Sequence, residues 1–250
     1  MSNQAKTNMS KFHYNPHISV DCVIFGFDDE KINILLIKRK QKGENIYALP
    51  GDLVQKGEDL DLAATRVLYE LTSMENLYLE QFKTFGSPGR TSDPVDVEWI
   101  KSVREHPEAR VITVAYNSLV KTEDFQYQPS SFAEEVLWHP IEKPQKLGFD
   151  HNEIANTGWA MLREKIKREP AIAFSLLPEK FTLRQLQTLY EAIVGHELDK
   201  RNFRKRMLRN KFLIAMNERE TGVSHKPAQY YRFDEKIYRE EFAKDQWFLF

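Results

Sequence analysis

LPGDLVQKGEDLDLAATRVLYELTS, residues 49–73, sets a loop containing Pro50 and Gly51 directly before a helical pattern. From Leu60 the apolar positions are Leu60, Ala63, Ala64, Val67, Leu68 and Leu71, one face of an amphipathic helix. Glu58 precedes Arg66 by eight positions. Holding Mg²⁺ against a diphosphate takes several hard oxygen ligands. Acids at i, i+3 and i+4 of such a helix would share one face and could share metal ions. Here those positions are Val67, Glu70 and Leu71. Branched hydrocarbon in place of charge removes ligands and dries the surroundings, so metal-dependent hydrolysis by this helix is not expected. Glu70 is expected to pair with Arg66, one helical turn away.

Outward from this helix the chain alternates strands with helices. ISVDCVIFGF (18–27) and INILLIKRK (32–40), separated by DDEK, read as a hairpin. YLEQFKTFG (78–86), VITVAYNSLV (111–120) and AEEVLWHP (133–140) have strand composition, and VEWIKSVREHPEAR stands between the first two as an insertion. HNEIANTGWAMLREKIKRE (151–169) reads as a second helix. Such interleaving predicts one mixed α/β domain. The polar stretch before residue 13 is expected to be loosely tied down.

After PAIAFSLLP the pattern changes. TLRQLQTLYEAIVG places Leu183, Leu186, Leu189, Tyr190, Ile193 and Val194 on one helical face, with Thr182 and Gln185 as a capping box and Gly195 as a stop. Asp199 can cap a helix over KRNFRKRMLRNK, which holds seven basic residues and no acidic one from Lys200 to Lys211. Phe203 and Met207 share its packing face, while Arg201, Lys205 and Arg209 run along the opposite side beside Asn202. Arg can read guanine and Asn adenine in a major groove, and flanking basic residues can hold phosphates. FLIAM (212–216) and QYYRF (229–233) then form a hairpin whose tip carries Arg219, His225 and Lys226. Helix, turn, basic helix and hairpin make a winged helix-turn-helix, and the boundary falls near residue 175.

Whole-chain composition is ordinary for a globular protein: 250 residues, 41% hydrophobic, 29% charged, formal net charge -1. That balance conceals a division, because residues 178–250 carry net +4 and residues 1–177 net -5. Two units with different partners are expected. The single cysteine, Cys22, permits no intrachain disulfide and reads as a small buried residue. No zinc set, signal peptide or membrane span is expected, and the protein is expected to be cytoplasmic.

Residues 49–73 resemble a degenerate Nudix box. Gly51, Glu58, Arg66, Leu68 and Glu70 fit the family pattern with one extra residue between Gly51 and Glu58; Val67, Leu71 and Ser73 depart from it. FGSPGR followed by RVITVAY resembles Nudix proteins of the ADP-ribose type. FTLRQLQTLYEAIVGHELDKRNFRKRML is similar to the winged helix of Nudix-related transcriptional regulators. The resemblance implies an α+β chain, a Nudix-like α/β/α sandwich over 1–174 followed by a winged helix-turn-helix domain over 175–250. It further implies a homodimeric, non-enzymatic repressor or activator that senses a small molecule without cofactor or metal and binds a double-stranded DNA operator.

Expected DNA-binding residues are Lys200, Arg201, Asn202, Arg204, Lys205, Arg209 and Lys226. Expected effector-binding residues are Asp21, Lys38, Arg39, Gly51, Glu70, Arg90 and His151. Each of the latter also has a structural reading: Asp21 in strand pairing, Lys38 and Arg39 at solvated ends, Arg90 in a loop ion pair, His151 at a helix start. Two branches of the family set the choice of effector. The interrupted box and the insertion from Thr91 to Arg110 favour a smaller, uncharged ligand, a pentose such as L-arabinose that would control sugar-utilisation genes. ADP-ribose or another NAD metabolite is the alternative, and an active Mg²⁺-dependent pyrophosphatase is a further one. An RNA-binding module is disfavoured because the basic unit lacks an aromatic stacking pair on a sheet; Tyr230 and Tyr231 read as packing residues.

Overall fold

The computed structural model describes residues 14–40, 46–129, 133–143, 145–224 and 226–242, without the side chains of residues 241 and 242. The polar N-terminal stretch up to residue 13 and His225 lie outside the described residues. Two compact units are present: Met1–Gly26 with Asn33–Trp159, and Phe27–Ile32 with Ala160–Phe250.

The first unit is built on β1 (Tyr14–Phe27) and β2 (Ile32–Arg39), the expected hairpin. Among the described residues they join β3 (Tyr47–Ala48), β5 (Glu80–Phe85) and β6 (Ile112–Lys121) in the order β3-β2-β1-β6-β5. In addition β4 (Gly51–Gln55) pairs antiparallel with β1, and β7 (Ala133–Pro140) with β2. Successive residues of β1 point to opposite sheet faces. Val20, Cys22 and Ile24 pack into a core with Ala63, Ala64, Val67, Leu68 and Leu71 of α1 (Leu60–Thr72). The alternate residue Phe25 meets Trp159 of α3 (His151–Arg168), ring centroids 5.0 Å apart. Helices on both faces of one sheet are the expected α/β/α sandwich. Cys22 is fully buried with its thiol 3.6 Å from the carbonyl of Ala64, and burial pushes that thiol well above its ordinary pKa.

Two segments differ from expectation here. The loop read from residue 49 onward is in part a strand: Gly51 lies opposite Asp21 and Leu53 opposite Ser19. The insertion between β5 and β6 contains a helix, α2 (Pro94–Val103). Asp93 caps it by accepting from Val95 N, and Pro94 occupies the first turn, where its missing N–H costs nothing.

In the second unit a short α4 (Ala171–Phe174) precedes β8 (Phe181–Thr182) and α5 (Leu183–Val194). The capping box of Thr182 and Gln185 is formed, and Gly195 ends α5 at φ 79°. Then come α6 (Lys200–Met207), β9 (Leu213–Arg219), β10 (Gln229–Phe233) and α7 (Glu235–Phe242). Here the strands order as β8-β10-β9, a wing sheet. Its core is aromatic: Phe174 stacks on Phe233 at 4.3 Å, with Phe212 and Tyr238 edge-on to one another at 5.4 Å. Tyr231 is buried and Tyr230 is half-buried. Helix α6 stops at Met207, shorter than the expected span to Lys211, and Arg209 lies in the turn that follows. Helix α7 was not expected; Asp234 caps it by accepting from Ile237 N at 3.1 Å. No helix among the described residues is long and apolar enough to cross a membrane.

Candidate effector site and nucleic-acid interface

On α1, Val67 and Leu71 are buried in the core, so the positions where metal ligands would stand are packing positions. Arg66 holds both remaining acids. It donates to Glu58 at 2.7 and 2.9 Å, to Glu70 at 2.9 Å, and to the carbonyl of Leu53 at 3.0 Å. Burial acts to raise the carboxyl of Glu58, but the Arg66 guanidinium holds it below the usual range. Glu58 and Glu70 thus share one guanidinium. Among the described residues no cluster of three His, Cys, Asp or Glu is placed to hold a metal ion.

The expected effector residues converge elsewhere. Asp21 points to the face of β1 opposite α1, and Gly51 lies across from it on β4 because a Cβ there would overlap Asp21 Oδ1. Arg90, on the loop after β5, donates two bonds to Asp150 at 2.8 and 2.9 Å and a third to Asp21 Oδ2 at 3.3 Å. At the start of α3, His151 Nε2 stands 3.4 Å from Asp21 Oδ1. Its Nδ1 accepts from Leu49 N at 2.9 Å, which places the ring proton on Nε2, toward Asp21. Burial would raise the Asp21 carboxyl, but His151 and then Arg90 bring it down to about 2.

Arg39 is 1% exposed rather than a solvated strand end. Its guanidinium lies against the rings of Trp99 and Phe149, 4.7 and 4.8 Å from their centroids, and Nη2 donates to Asp96 at 2.6 Å. Asp96 and Trp99 come from α2. The other oxygen of Asp96 accepts from Phe149 N at 2.7 Å, holding Phe149 at φ 56° in the left-handed region. A Cβ on Gly148 would overlap Arg39 Nη2, so the segment returning to α3 needs glycine there. Arg104, just past α2, is half-buried, and burial lowers its hold on its proton.

Asp21, Arg39, Gly51, Arg90 and His151 thus line one cavity of about 30 Å³, together with Trp99, Arg104 and Phe149. Two expected residues are not among them. Lys38 points to the other side of β2 and pairs with Glu134 at 3.2 Å, and Glu70 is held by Arg66. A broader open cleft of about 780 Å³ adjoins Glu58, but its lining includes Glu58, Asp59 and Asp61 against Lys56 as its one Lys or Arg. That lining repels an anionic ligand; the smaller cavity sets Arg39, Arg90 and Arg104 beside Asp21 and Asp52. Reading residue by residue missed Asp96, Trp99, Arg104, Phe149 and Asp150. The helix-start pair Asp93-Pro94 was the one local signal for the α2 group.

In the second unit α6 buries Phe203 and Met207 and exposes Lys200, Arg201, Asn202, Arg204 and Lys205. The turn before it is fixed. Gln187 donates to the carbonyl of Leu198 at 3.0 Å, and Leu198 N donates to Glu191 at 2.9 Å. Asp199 caps α6 through Asn202 N at 2.8 Å. Lys226 is exposed in the β9–β10 loop. Arg201 and Lys205 share one stripe, whereas Arg209 follows the helix and does not continue that stripe.

Comparison with known proteins matches both units. A family model described as NUDIX domain covers residues 15–157, and one described as NrtR DNA-binding winged helix domain covers residues 173–233. The ADPR responsive transcriptional repressor NtrR of Acinetobacter baylyi is 34% identical over 224 residues, 88% of this chain and 82% of that protein. An ADP-ribose pyrophosphatase of Methanocaldococcus jannaschii is 27% identical over 153 residues, 60% of this chain and 78% of that protein. Among solved structures, Shewanella oneidensis NrtR complexed with a 27mer DNA superposes with a TM-score of 0.63 at 25% identity, covering 88% and 94% of the two chains.

Proposed function

This chain belongs to the NrtR-type family of DNA-binding transcriptional regulators, a NUDIX domain joined to a winged helix, and we propose that its effector is ADP-ribose or a close chemical relative. The observation that carries this reading is the likeness, through both domains, to a repressor that responds to ADPR. An expected pentose effector such as L-arabinose finds no support in these relatives. Its physical argument also reverses: the insertion, thought to favour an uncharged ligand, supplies Arg104 to the cavity.

On this reading the chain is a repressor. The stripe of Arg201 and Lys205 with Asn202 enters a major groove, and Lys200, Arg204, Arg209 and Lys226 hold phosphates. Two copies related by a twofold axis read the halves of a pseudo-palindromic operator. The effector acts by binding the DNA-competent and DNA-incompetent states unequally. The NUDIX domain is read as non-hydrolytic because Arg66 occupies Glu58 and Glu70. The likeness to a pyrophosphatase favours the second reading, an active hydrolase.

A titration of the full chain with an operator selected from a random-sequence pool tests the proposal. ADP-ribose should shift the operator Kd and L-arabinose should not. The opposite pattern would overturn the effector assignment. Sustained Mg²⁺-dependent turnover of ADP-ribose, abolished by Glu70→Gln, would favour the hydrolase.

A further inference from the structure

Arg39 is nearly solvent-free, and among the described residues its Nε and Nη1 have no hydrogen-bond partner. A guanidinium has five N–H donors, and leaving charged donors unsatisfied in a buried site is costly. Arg104 lines the same cavity, and among the described residues no hydrogen bond or ion pair reaches its guanidinium, although Asp52 and Asp21 lie near enough to favour its charge. Two arginines with spare donors, facing a shared space, match the geometry of a phosphoryl group, whose oxygens accept paired N–H bonds from guanidinium forks.

The space itself is narrow. A cavity of about 30 Å³ holds roughly one or two water molecules, far less than a sugar phosphate. One side of its wall comes from the inserted segment, with Trp99 on α2 and Arg104 just after it, and Asp96 of α2 stands behind Arg39. Asp96 joins that segment to the rest by accepting from Arg39 with one oxygen and from Phe149 N with the other. Losing the Asp96–Arg39 bond therefore frees a charged donor and loosens the wall together.

We propose that Arg39 and Arg104 form the phosphate-binding subsite of the effector cavity, that α2 is its lid, and that Asp96 holds Arg39 where an effector's phosphate binds. The proposal rests on the anionic effector named above, and it assigns the residues that recognise the charged part. A phosphate exchanges for Asp96 on Arg39, engages Arg104, and displaces α2. Pentoses lack the group that drives this exchange.

Calorimetry on the full chain tests it with three probes: ADP-ribose, inorganic pyrophosphate and ribose. Wild-type protein should bind the first two and discriminate against ribose. Arg104→Gln should weaken both anions by about 10–100-fold, the loss expected for charge-assisted hydrogen bonds, with Arg104→Lys intermediate. Asp96→Asn keeps an oxygen for Phe149 N but releases Arg39, so it should bind pyrophosphate more tightly than wild type. A purely structural Asp96 would give the opposite sign. Unchanged affinity in a folded Arg104→Gln protein, or weakened or unchanged pyrophosphate binding in Asp96→Asn, overturns the subsite. Should wild type bind pyrophosphate with this mutational pattern but ignore ADP-ribose, the subsite stands and the ADP-ribose assignment fails. Should it bind ADP-ribose regardless of Arg104, the assignment stands and the subsite fails. Binding of neither anion removes both.

Discussion

Arg66 donates to both oxygens of Glu58, Nε to Oε1 at 2.7 Å and Nη2 to Oε2 at 2.9 Å. The pair bridges the loop after β4 to the second turn of α1, and Glu70 closes it from the next turn. Together the three side chains clamp the loop against the helix. A bidentate guanidinium–carboxylate pair has the geometry in which such contacts contribute most.

Restoring the missing acids should therefore break the fold rather than revive chemistry. Val67 is 0% and Leu71 1% exposed, within the core beneath β1. Val67→Glu and Leu71→Glu would each bury a carboxylate without a partner, at a cost of several kcal/mol. Thermal melts should show a large loss for each variant, and neither should hydrolyse ADP-ribose with Mg²⁺. A double variant of wild-type stability that turned over ADP-ribose would show that the clamp is a repairable active site.

For the DNA-binding face, the end of α6 at Met207 separates residues that looked equivalent in the sequence. Arg201 lies on the exposed stripe of the helix, so Arg201→Ala should cost about 1–3 kcal/mol and relax specificity at one operator position. Arg209 lies in the turn and Lys226 in the wing, so their alanine variants should weaken all sequences alike and lower the salt slope by about 1 each. Titrations against operator and scrambled DNA at several salt concentrations read both effects. Uniform weakening by Arg201→Ala would move that residue to the phosphate-contact set.

The elements that sequence periodicity disclosed are those whose pattern is local. Alternation in β1 and β2, the 3.6-residue stripe of α1, and the capping box of Thr182 and Gln185 each follow from near neighbours. Strand β4 was hidden because Pro50 and Gly51 mark a break, whereas its pairing is set by β1, thirty residues earlier. Arg39 shows the same limit more sharply. At the end of a strand it resembles a solvated cation, and its burial follows from Asp96, 57 positions away, and from Phe149. Single residues such as Asp21, Arg90 and His151 could be singled out by chemistry. Their convergence depends on three separate connections meeting at one end of the sheet.

Acid titration should expose the Asp21 cluster. With Asp21 held to about 2, below the ordinary value near 4, the folded state binds fewer protons than the unfolded state between those limits. The contribution is fully present above about pH 4 and lost as pH falls toward 2, a change of about 2 kcal/mol. In urea unfolding, the stability gap between wild type and Asp21→Asn should narrow by that amount from pH 5 to pH 2. Parallel curves would show that Asp21 is not held by His151 and Arg90.

Glycine contacts permit a test of the cavity that changes no charge. Alanine at Gly51 would place its Cβ on Asp21 Oδ1, and alanine at Gly148 would place its Cβ on Arg39 Nη2. In each case a buried, hydrogen-bonded group must shift, and overpacking of this kind costs about 1–3 kcal/mol. Gly57 is the comparison. Its φ of 86° makes alanine strained there too, at about 1 kcal/mol, but a Cβ would meet nothing within 4 Å. Gly57→Ala should therefore lower the melting temperature and leave the ADP-ribose response of the operator complex intact. Gly51→Ala and Gly148→Ala should lower it and blunt the response as well. If all three variants responded to ADP-ribose alike, the effector would bind away from Asp21 and Arg39, and the acid-lined cleft near Glu58 would become the site to test.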